Sequence, residues 1–492
     1  MKLARRNILA LGAGAALLPT YVRTAAADTP SLLAERLADY ALALRYEDLD
    51  AATIERAKSH IVDSFACAIA AFDEPAVRTC RGMALAVSDG PSTVFGTNRH
   101  STPDLASFAN GAAIRYYDLN DAYASPTLGA VHPSDHIGAC LAVAEAEKAS
   151  ARDAIAAIVL AYEINCRLID VLDAAKRGWD PTLFSLPAVA LAAGKLMKLP
   201  RAQLVQAVNL ALNDHIPMGQ TRTQTNSDWK GLSDAEAEKN AVFAAMLARG
   251  GLTGPSPIFE GRKGLFQQVA TAADVKVEGF GGKNGERFKI HACGVKAYAA
   301  VVYSQTAIVA GLELAKQIGS VDNIKSLEIA TTLRGYEQAG RDREKWTPQN
   351  RDTADHSLPY LTARAMVDGD ITNETYAADK LRDPKILALM QKITAKEDPA
   401  FAKPHGMGKG GNAPPTRLTA TLTDGRTVTV QVDDMPGFPG KPMTRAQMER
   451  KYRSNVGKRW PAAEVDAQLQ SLWDFEKTAD LRAFLGRFHI PA

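Results

Sequence analysis

Cysteine is scarce in this chain. Its 492 residues hold five, Cys67, Cys80, Cys140, Cys166 and Cys293. No two form a C-x-x-C pair, so neither a zinc ribbon nor an iron–sulfur ligand run is present, and no disulfide framework shows. Cys67, Cys140 and Cys166 stand in apolar, helix-like stretches and read as small core residues. Long apolar runs are missing too. Beyond the N-terminus nothing approaches 18 uninterrupted apolar residues, which excludes a helical membrane span there. Nor is there an excess of charge of one sign. The 58 lysines and arginines face 55 acids, which gives no electrostatic case for a nucleic-acid partner, although a local basic pocket is compatible with it. The composition, 46% hydrophobic and 23% charged, is that of a globular protein. The length exceeds one compact core and implies two or three domains.

The first 27 residues, MKLARRNILALGAGAALLPTYVRTAAA, are of another kind. Arg5 and Arg6 are adjacent, an apolar run from Ile8 to Leu18 follows, and small residues gather up to Ala25-Ala26-Ala27. This is the pattern of a twin-arginine signal peptide cut after Ala27, which makes the mature protein periplasmic or exported and leaves it off the membrane. The segment contains Lys2, Arg5, Arg6 and Arg23 and no acid. Losing those four of the 58 bases leaves 54 against 55 acids.

Helical periodicity dominates from about residue 31 to 265. In AATIERAKSHIVDSFACAIAAF the residues Ile54, Ala57, Ile61 and Phe65 form one stripe. ARDAIAAIVLAYEINCRLIDVL is apolar nearly all round, as befits the centre of a bundle. Alanine is frequent in these segments; it favours helix and lets helices approach closely. Near GFGGKNGERFKIH the pattern changes. IKSLEIATTL is a partial strand pattern, LRDPKILALMQKI a helix, and RLTATLTDGRTVTVQV a hairpin turning at Asp424-Gly425. These predict a smaller α+β domain from about 285 to 438. The tail, with TRAQMERKYRSNV and AAEVDAQLQSLWDF, is helical again and is expected to pack back on the first domain. HGMGKGGN, residues 405 to 412, lacks the P-loop pattern and reads as a flexible loop.

Candidate chemistry concentrates in DLNDAYASPTLGAVHPSDHIG, residues 118 to 138, with Asp118, Asp121, His132, Asp135 and His136. Pro126 and Gly129 predict a loop from Asp118 to Val131. Ser134 is placed to cap a helix, which sets His132 just outside a helix N-terminus. His132 and His136 are four apart, but Pro133 and the helix start separate them and the HExxH glutamate is absent, so no metal is expected. An acid–base site suits the segment better. A helix start offers amide donors to a carboxylate, and histidine moves protons near neutral pH. Lys230, in TNSDWKGLSDAEAEKNA, lies at another loop-to-helix junction; Lys289 and His291, in FKIHACGVKAYA, lie at the expected domain junction. A lone lysine is ordinarily a solvated surface group, and position alone does not set Lys230 and Lys289 apart, although ligand sites often lie between domains.

These stretches resemble the MmgE/PrpD family, which includes 2-methylcitrate dehydratase and cis-aconitate decarboxylase. NGAAIRYYDLNDAYASPTLGAVHPSDHIGACLAVAEA is similar to the family's asparagine-glycine, D-x-[ND]-D and H-P-S series. DWKGLSDAEAEKNAVFAAMLARGGLTGP, FKIHAC and DHSLPYLTARAMVDGDIT extend the likeness over roughly residues 30 to 480. The resemblance implies a mainly α fold: a large all-helical domain built from 28–284 and 439–492, and an inserted α+β lid, 285–438. It also implies a homodimer and a lyase or isomerase that needs neither metal nor cofactor and acts on a small polycarboxylate, dehydration being the first expectation and decarboxylation or epimerisation its alternatives. By motif, Asp118, His132, Lys230 and Lys289 are the implied catalytic residues and Tyr336 matches a lid tyrosine; Asp121, Tyr123 and His291 are the further expected substrate contacts, His291 either replacing the usual later histidine or packing the lid. The chain departs from the family in three places. Trp179, Asp180 and Pro181 stand where a second histidine is usual. Gly294 and Lys296 follow His291 where a proline and a later histidine are usual. Ala122 replaces a threonine. Two rivals of other classes are an exported dicarboxylate-binding protein and a metal-dependent hydrolase using His132 and His136.

Overall fold

The computed structural model describes residues 31–87, 89–125, 129–215, 217–269, 274–282, 285–401, 413–434 and 437–491. The signal segment and the glycine-rich 405–412 stretch lie outside the described residues. Residues 32–492 form one compact unit, and the fold is mainly α. Among the described residues no helix is long and apolar enough to cross a membrane.

The helical body uses α1 (Leu33–Ala43), α2 (Ala51–Ala70), α3 (Pro75–Leu85), α4 (Pro103–Arg115), α5 (His136–Ala146), α6 (Ala151–Ile169), α7 (Ser185–Leu196), α8 (Arg201–Asn213) and α9 (Ser233–Arg249). Ala57, Ile61 and Phe65 of α2 are buried, and Ile54 is half-buried, as the stripe predicts. The apolar-all-round α6 is buried along nearly its whole length. Small residues set the spacing at the heart of the bundle: a Cβ on Gly138 of α5 would lie 3.0 Å from the backbone nitrogen of Gly111 in α4. A side chain at either position would push these two helices apart.

Between α4 and α5 the expected loop is instead a buried hairpin, β1 (Asp121–Ser125) and β2 (Gly129–Val131). Tyr123 opposes Val131. A third short strand, β3 (Gly294–Val295), joins on the other side, with Asp121 opposite Val295. Its third strand comes from 172 to 174 residues further along the chain (Ala122 opposite Gly294, Asp121 opposite Val295), so local composition gave only the loop reading. The helix start also differs from expectation. Pro133–Asp135 form a 3-10 turn and α5 begins at His136. Ser134 does not cap it: its hydroxyl accepts from Asn120 Nδ2 at 2.9 Å, and its amide donates to Asp121 Oδ1 at 3.0 Å.

The second region centres on α10 (Gln305–Ile318), α11 (Leu333–Ala339) and α12 (Leu358–Asp368) beside a four-stranded sheet. The sheet holds β4 (Ile324–Thr331), β5 (Ile393–Glu397), β6 (Thr416–Leu422) and β7 (Thr427–Val432), in the order β5-β4-β6-β7. β4 and β5 are parallel; the other pairs are antiparallel. The hairpin at Asp424-Gly425 matches the sequence reading, while β5 has no clear sequence signal. Two tail helices follow, α13 (Arg445–Val456) and α14 (Ala462–Trp473). α13 packs on α2, and Lys451 of α13 reaches Asp63 of α2 at 2.6 Å. Further on, the Ile490 amide donates to the Gly96 carbonyl at 2.9 Å.

Candidate active site

Asp118 lies just past the end of α4, fully buried, with φ of 53°. That left-handed conformation is uncommon outside glycine, although aspartate tolerates it better than most. Here it is held from outside. Lys296 Nζ donates to the Asp118 carbonyl oxygen at 2.9 Å and also pairs with its carboxylate. Arg115 Nη1 donates to Asp118 Oδ1 at 2.7 Å, a pairing that the three-residue spacing at the helix end allows. Burial alone would raise the Asp118 pKa. Arg115, Lys296 and Lys230 outweigh it and hold the carboxyl well below its ordinary value.

Two histidines flank this carboxylate. His132 Nε2 is 4.0 Å from Asp118 Oδ1, and its side chain keeps 11% exposure in an otherwise closed cluster. His132 Nδ1 lies 2.7 Å from the Asp121 carbonyl oxygen. A carbonyl only accepts, so Nδ1 carries the hydrogen and Nε2 is left with its lone pair. Burial, and then the charges of Arg115 and Lys296, push the His132 pKa well below that of free imidazole. His132 is therefore neutral and basic at Nε2. On the far side, His356 Nδ1 is 3.6 Å from Asp118 Oδ2 and 2.7 Å from Asp355 Oδ1. Burial brings the His356 pKa down to about 4, although Asp355 opposes the shift.

Lys230 completes the group. Its buried Nζ donates to Asp355 Oδ2 at 2.5 Å and lies 3.4 Å from Asp352 Oδ1. Burial takes the Lys296 pKa down to about 8 against the pull of Asp118. Asp118, His132 and Lys230 are thus gathered, as the sequence suggested, and Arg115, Lys296, Asp355 and His356 join them. The sequence reading missed those four as site residues. Their signals were visible in part: Lys296 is in FKIHACGVKAYA and Asp355-His356 open the quoted DHSLPY, but nothing local says which charged residue of each stretch turns inward.

Of the remaining candidates only Asp121 touches the group, through His132. Lys289 does not reach the Asp118 group. Its Nζ, 21% exposed with its side chain, pairs with Asp170 at 2.7 Å and donates to the Tyr123 hydroxyl at 3.2 Å, while that hydroxyl donates to Asp170 Oδ1 at 2.7 Å. Lys289, Tyr123 and Asp170 form their own half-buried set at the end of α6. Asp121 supports the site from behind: its Oδ2 accepts from Tyr162 at 2.9 Å and its backbone fixes His132. His291 is 2.9 Å from Thr53 Oγ1 and 3.1 Å from Arg287, away from the cluster. Tyr336 is half-buried on α11.

A cleft of about 630 Å³ has Trp179, Asp180, Arg222, Arg334, Arg341 and Asp342 among its walls, and no residue of the Asp118 cluster lines it. Its size suits a small organic ligand. It runs one step from the buried charges. Arg222 Nη1 donates to the Lys230 carbonyl at 3.4 Å, and the Asp342 carbonyl accepts from the Lys345 amide at 3.0 Å. Arg222 also holds Asp180 at 2.8 Å, so the Trp179-Asp180-Pro181 stretch builds wall rather than supplying an imidazole.

The metal readings meet a different geometry. His136 turns away from His132, with Nδ1 3.0 Å from Glu238 Oε1. Asp118, Asp355 and His356 do bring ligand atoms within 4.8 Å of one another. Asp118 Oδ1 is taken by Arg115 and Lys296, and the Asp355 oxygens by Lys230 and His356, while Asp118 Oδ2 has no hydrogen-bond partner among the described residues; a dication there would face three fixed cations.

Two family models match the chain, the MmgE/PrpD N-terminal domain over residues 35–278 and the MmgE/PrpD C-terminal domain over residues 298–475. The chain belongs to the MmgE/PrpD family. Lys289, His291 and Lys296 all fall in the short junction between the two MmgE/PrpD segments. The chain is 26% identical over 452 residues to the 2-methylcitrate dehydratase of Cupriavidus necator, covering 87% of this chain and 91% of that protein. To the 2-methylcitrate dehydratase of Escherichia coli (strain K12) it is 25% identical over 465 residues, 88% and 92% of the two chains. To the cis-aconitate decarboxylase-like protein oryM of Aspergillus oryzae it is 23% identical over 476 residues, 91% and 95%.

Proposed function

We propose that this protein is a lyase of the dehydratase kind that removes a proton next to a carboxylate of a small di- or tricarboxylate, without a metal ion. The observation that carries the reading is one neutral, partly open imidazole facing buried cations. His132 Nε2 takes the proton from the substrate carbon. The electron pair moves into an enediolate, whose charge Lys296, Lys230 and Arg115 offset in a site screened from water. The pair then expels the β-hydroxyl, which leaves as water by taking the proton that His132 has gained, and the imidazole returns to its neutral form. Asp118 ties the cations together and sets the field on His132. Names of relatives at 23–27% identity, chiefly 2-methylcitrate dehydratase, support the same reaction class. Decarboxylation is the second reading, favoured by the cis-aconitate decarboxylase-like relative, because it needs the same charge stabilisation.

Incubation with citrate-like and aspartate-like acids in deuterated water, followed by NMR, tests the reading. Deuterium is expected at a carbon adjacent to a carboxylate, and is lost in His132→Gln. Binding of these acids with no exchange and no turnover would reduce the protein to a binding protein. A homodimer exported by the twin-arginine route belongs to the same proposal. Light scattering that gives a monomer, or fractionation that keeps the protein in the cytoplasm, would remove those parts.

A further inference from the structure

Lys345, in the short turn Arg343–Trp346, has no part in the reaction as described. It is fully buried, yet its Nζ has no hydrogen-bond partner among the described residues. A buried ammonium without a partner is costly, and proteins ordinarily pair such a group. The acid with the largest influence on it is Asp355, and the Lys345 carbonyl accepts from the Ser357 hydroxyl, two residues along the chain from Asp355. Both Asp355 oxygens are already engaged, Oδ2 by Lys230 at 2.5 Å and Oδ1 by His356 at 2.7 Å. Lys345 is thus a spare positive charge beside a saturated ion pair. Its own backbone amide is fixed to Asp342, a wall residue of the 630 Å³ cleft.

We propose that Lys345 is a second carboxylate anchor, which holds the carboxylate of the bound acid that lies away from the carbon His132 deprotonates. The inference rests on the polycarboxylate reading above and extends it. One carboxylate beside the reacting carbon is served by the Lys296 and Lys230 side of the cluster; a spare buried cation on the lid-side turn then selects for a further carboxylate. A substrate with a single carboxylate leaves Lys345 unpaired. Burial brings the Lys345 pKa down to about 8, so the group is mostly charged at neutral pH and gains from an anion.

The test compares the wild type with Lys345→Met and Lys345→Arg. Methionine keeps the length and removes the charge. Binding of tricarballylate, which has no hydroxyl to eliminate, is measured by calorimetry, and Tm is measured without ligand. Lys345→Met is expected to weaken tricarballylate roughly 10- to 100-fold, the worth of one charged hydrogen bond, and to raise the ligand-free Tm because an unpaired buried charge has gone. Lys345→Arg is expected to retain most of the affinity. For a turned-over acid the loss should fall on KM more than on kcat. Equal affinity in Lys345→Met and wild type overturns the anchor while leaving the lyase reading intact. Absence of tricarballylate and citrate binding by the wild type overturns both.

Discussion

Asp118 shows how one residue can be recognisable in sequence while its role is not. Its place in a D-x-[ND]-D series marks it, and His132 and Lys230 are marked in the same way by the motif residues beside them. What these groups do depends on partners that sequence separation hides. Lys296 is 178 residues from Asp118 and lies in a stretch where the more conspicuous Lys289 draws attention. Lys289 turned out to serve Asp170 and Tyr123 instead. Two expectations follow at this scale. His132→Gln should cost about 10²- to 10⁴-fold in turnover, the usual worth of a positioned base, with an unchanged thermal unfolding curve; activity within a few-fold of wild type would sink the assignment. The pH profile of kcat/KM should hold flat from about pH 7 down to 6, because His132 gains a proton only well below the ordinary imidazole value. It should fall as pH rises through about 8, where Lys296 loses its charge. A profile that climbs through pH 8 would contradict the need for a charged lysine.

Elements with strong periodicity were legible, and those built by distant pairing were not. The stripe of α2, the all-round apolar α6 and the Asp424-Gly425 hairpin follow from spacing alone. The β1–β2 hairpin reads as loop because Asp121, Pro126 and Gly129 are turn-like residues, and only β3 and the helices around it make burial favourable. β5 is a five-residue strand, too short and too polar to announce itself. The packing of α13 on α2 can be tested directly. Asp63 is fully buried, and burial raises its pKa despite the ion pair with Lys451. Lys451→Ala should destabilise by about 3–5 kcal/mol, since it leaves a carboxylate without its counter-charge. Adding Asp63→Asn should recover a large part of that loss. Chemical denaturation of the two variants decides it, and additive effects would mean the pair is not coupled.

For the molecule as a whole, the mainly α architecture was legible from composition and period. The convergence of charges from five separate segments on one buried spot was not, because no local pattern encodes it. That convergence gives stability a pH signature. His356 has a folded pKa of about 4 against an ordinary 6.5. Between those values the unfolded chain takes up a proton that the folded chain refuses, so this histidine's contribution falls as pH drops from 6.5 to 4. The buried acids Asp135 and Glu238, whose pKa values are raised, act in the opposite direction. The clean measurement is therefore a difference. The stability of wild type relative to His356→Gln should decline by on the order of a few kcal/mol across that window; a constant difference would refute the linkage.

The contact of Lys451 with Asp63, and of Ile490 with Gly96, bears on how the protein comes into being. Helices laid down first have their apolar faces covered by helices laid down last. A ribosome that has delivered the first four hundred residues still holds a body with one side open. Burial of α2 is therefore complete only after α13 has been made, and until then its apolar face is open to association with other chains.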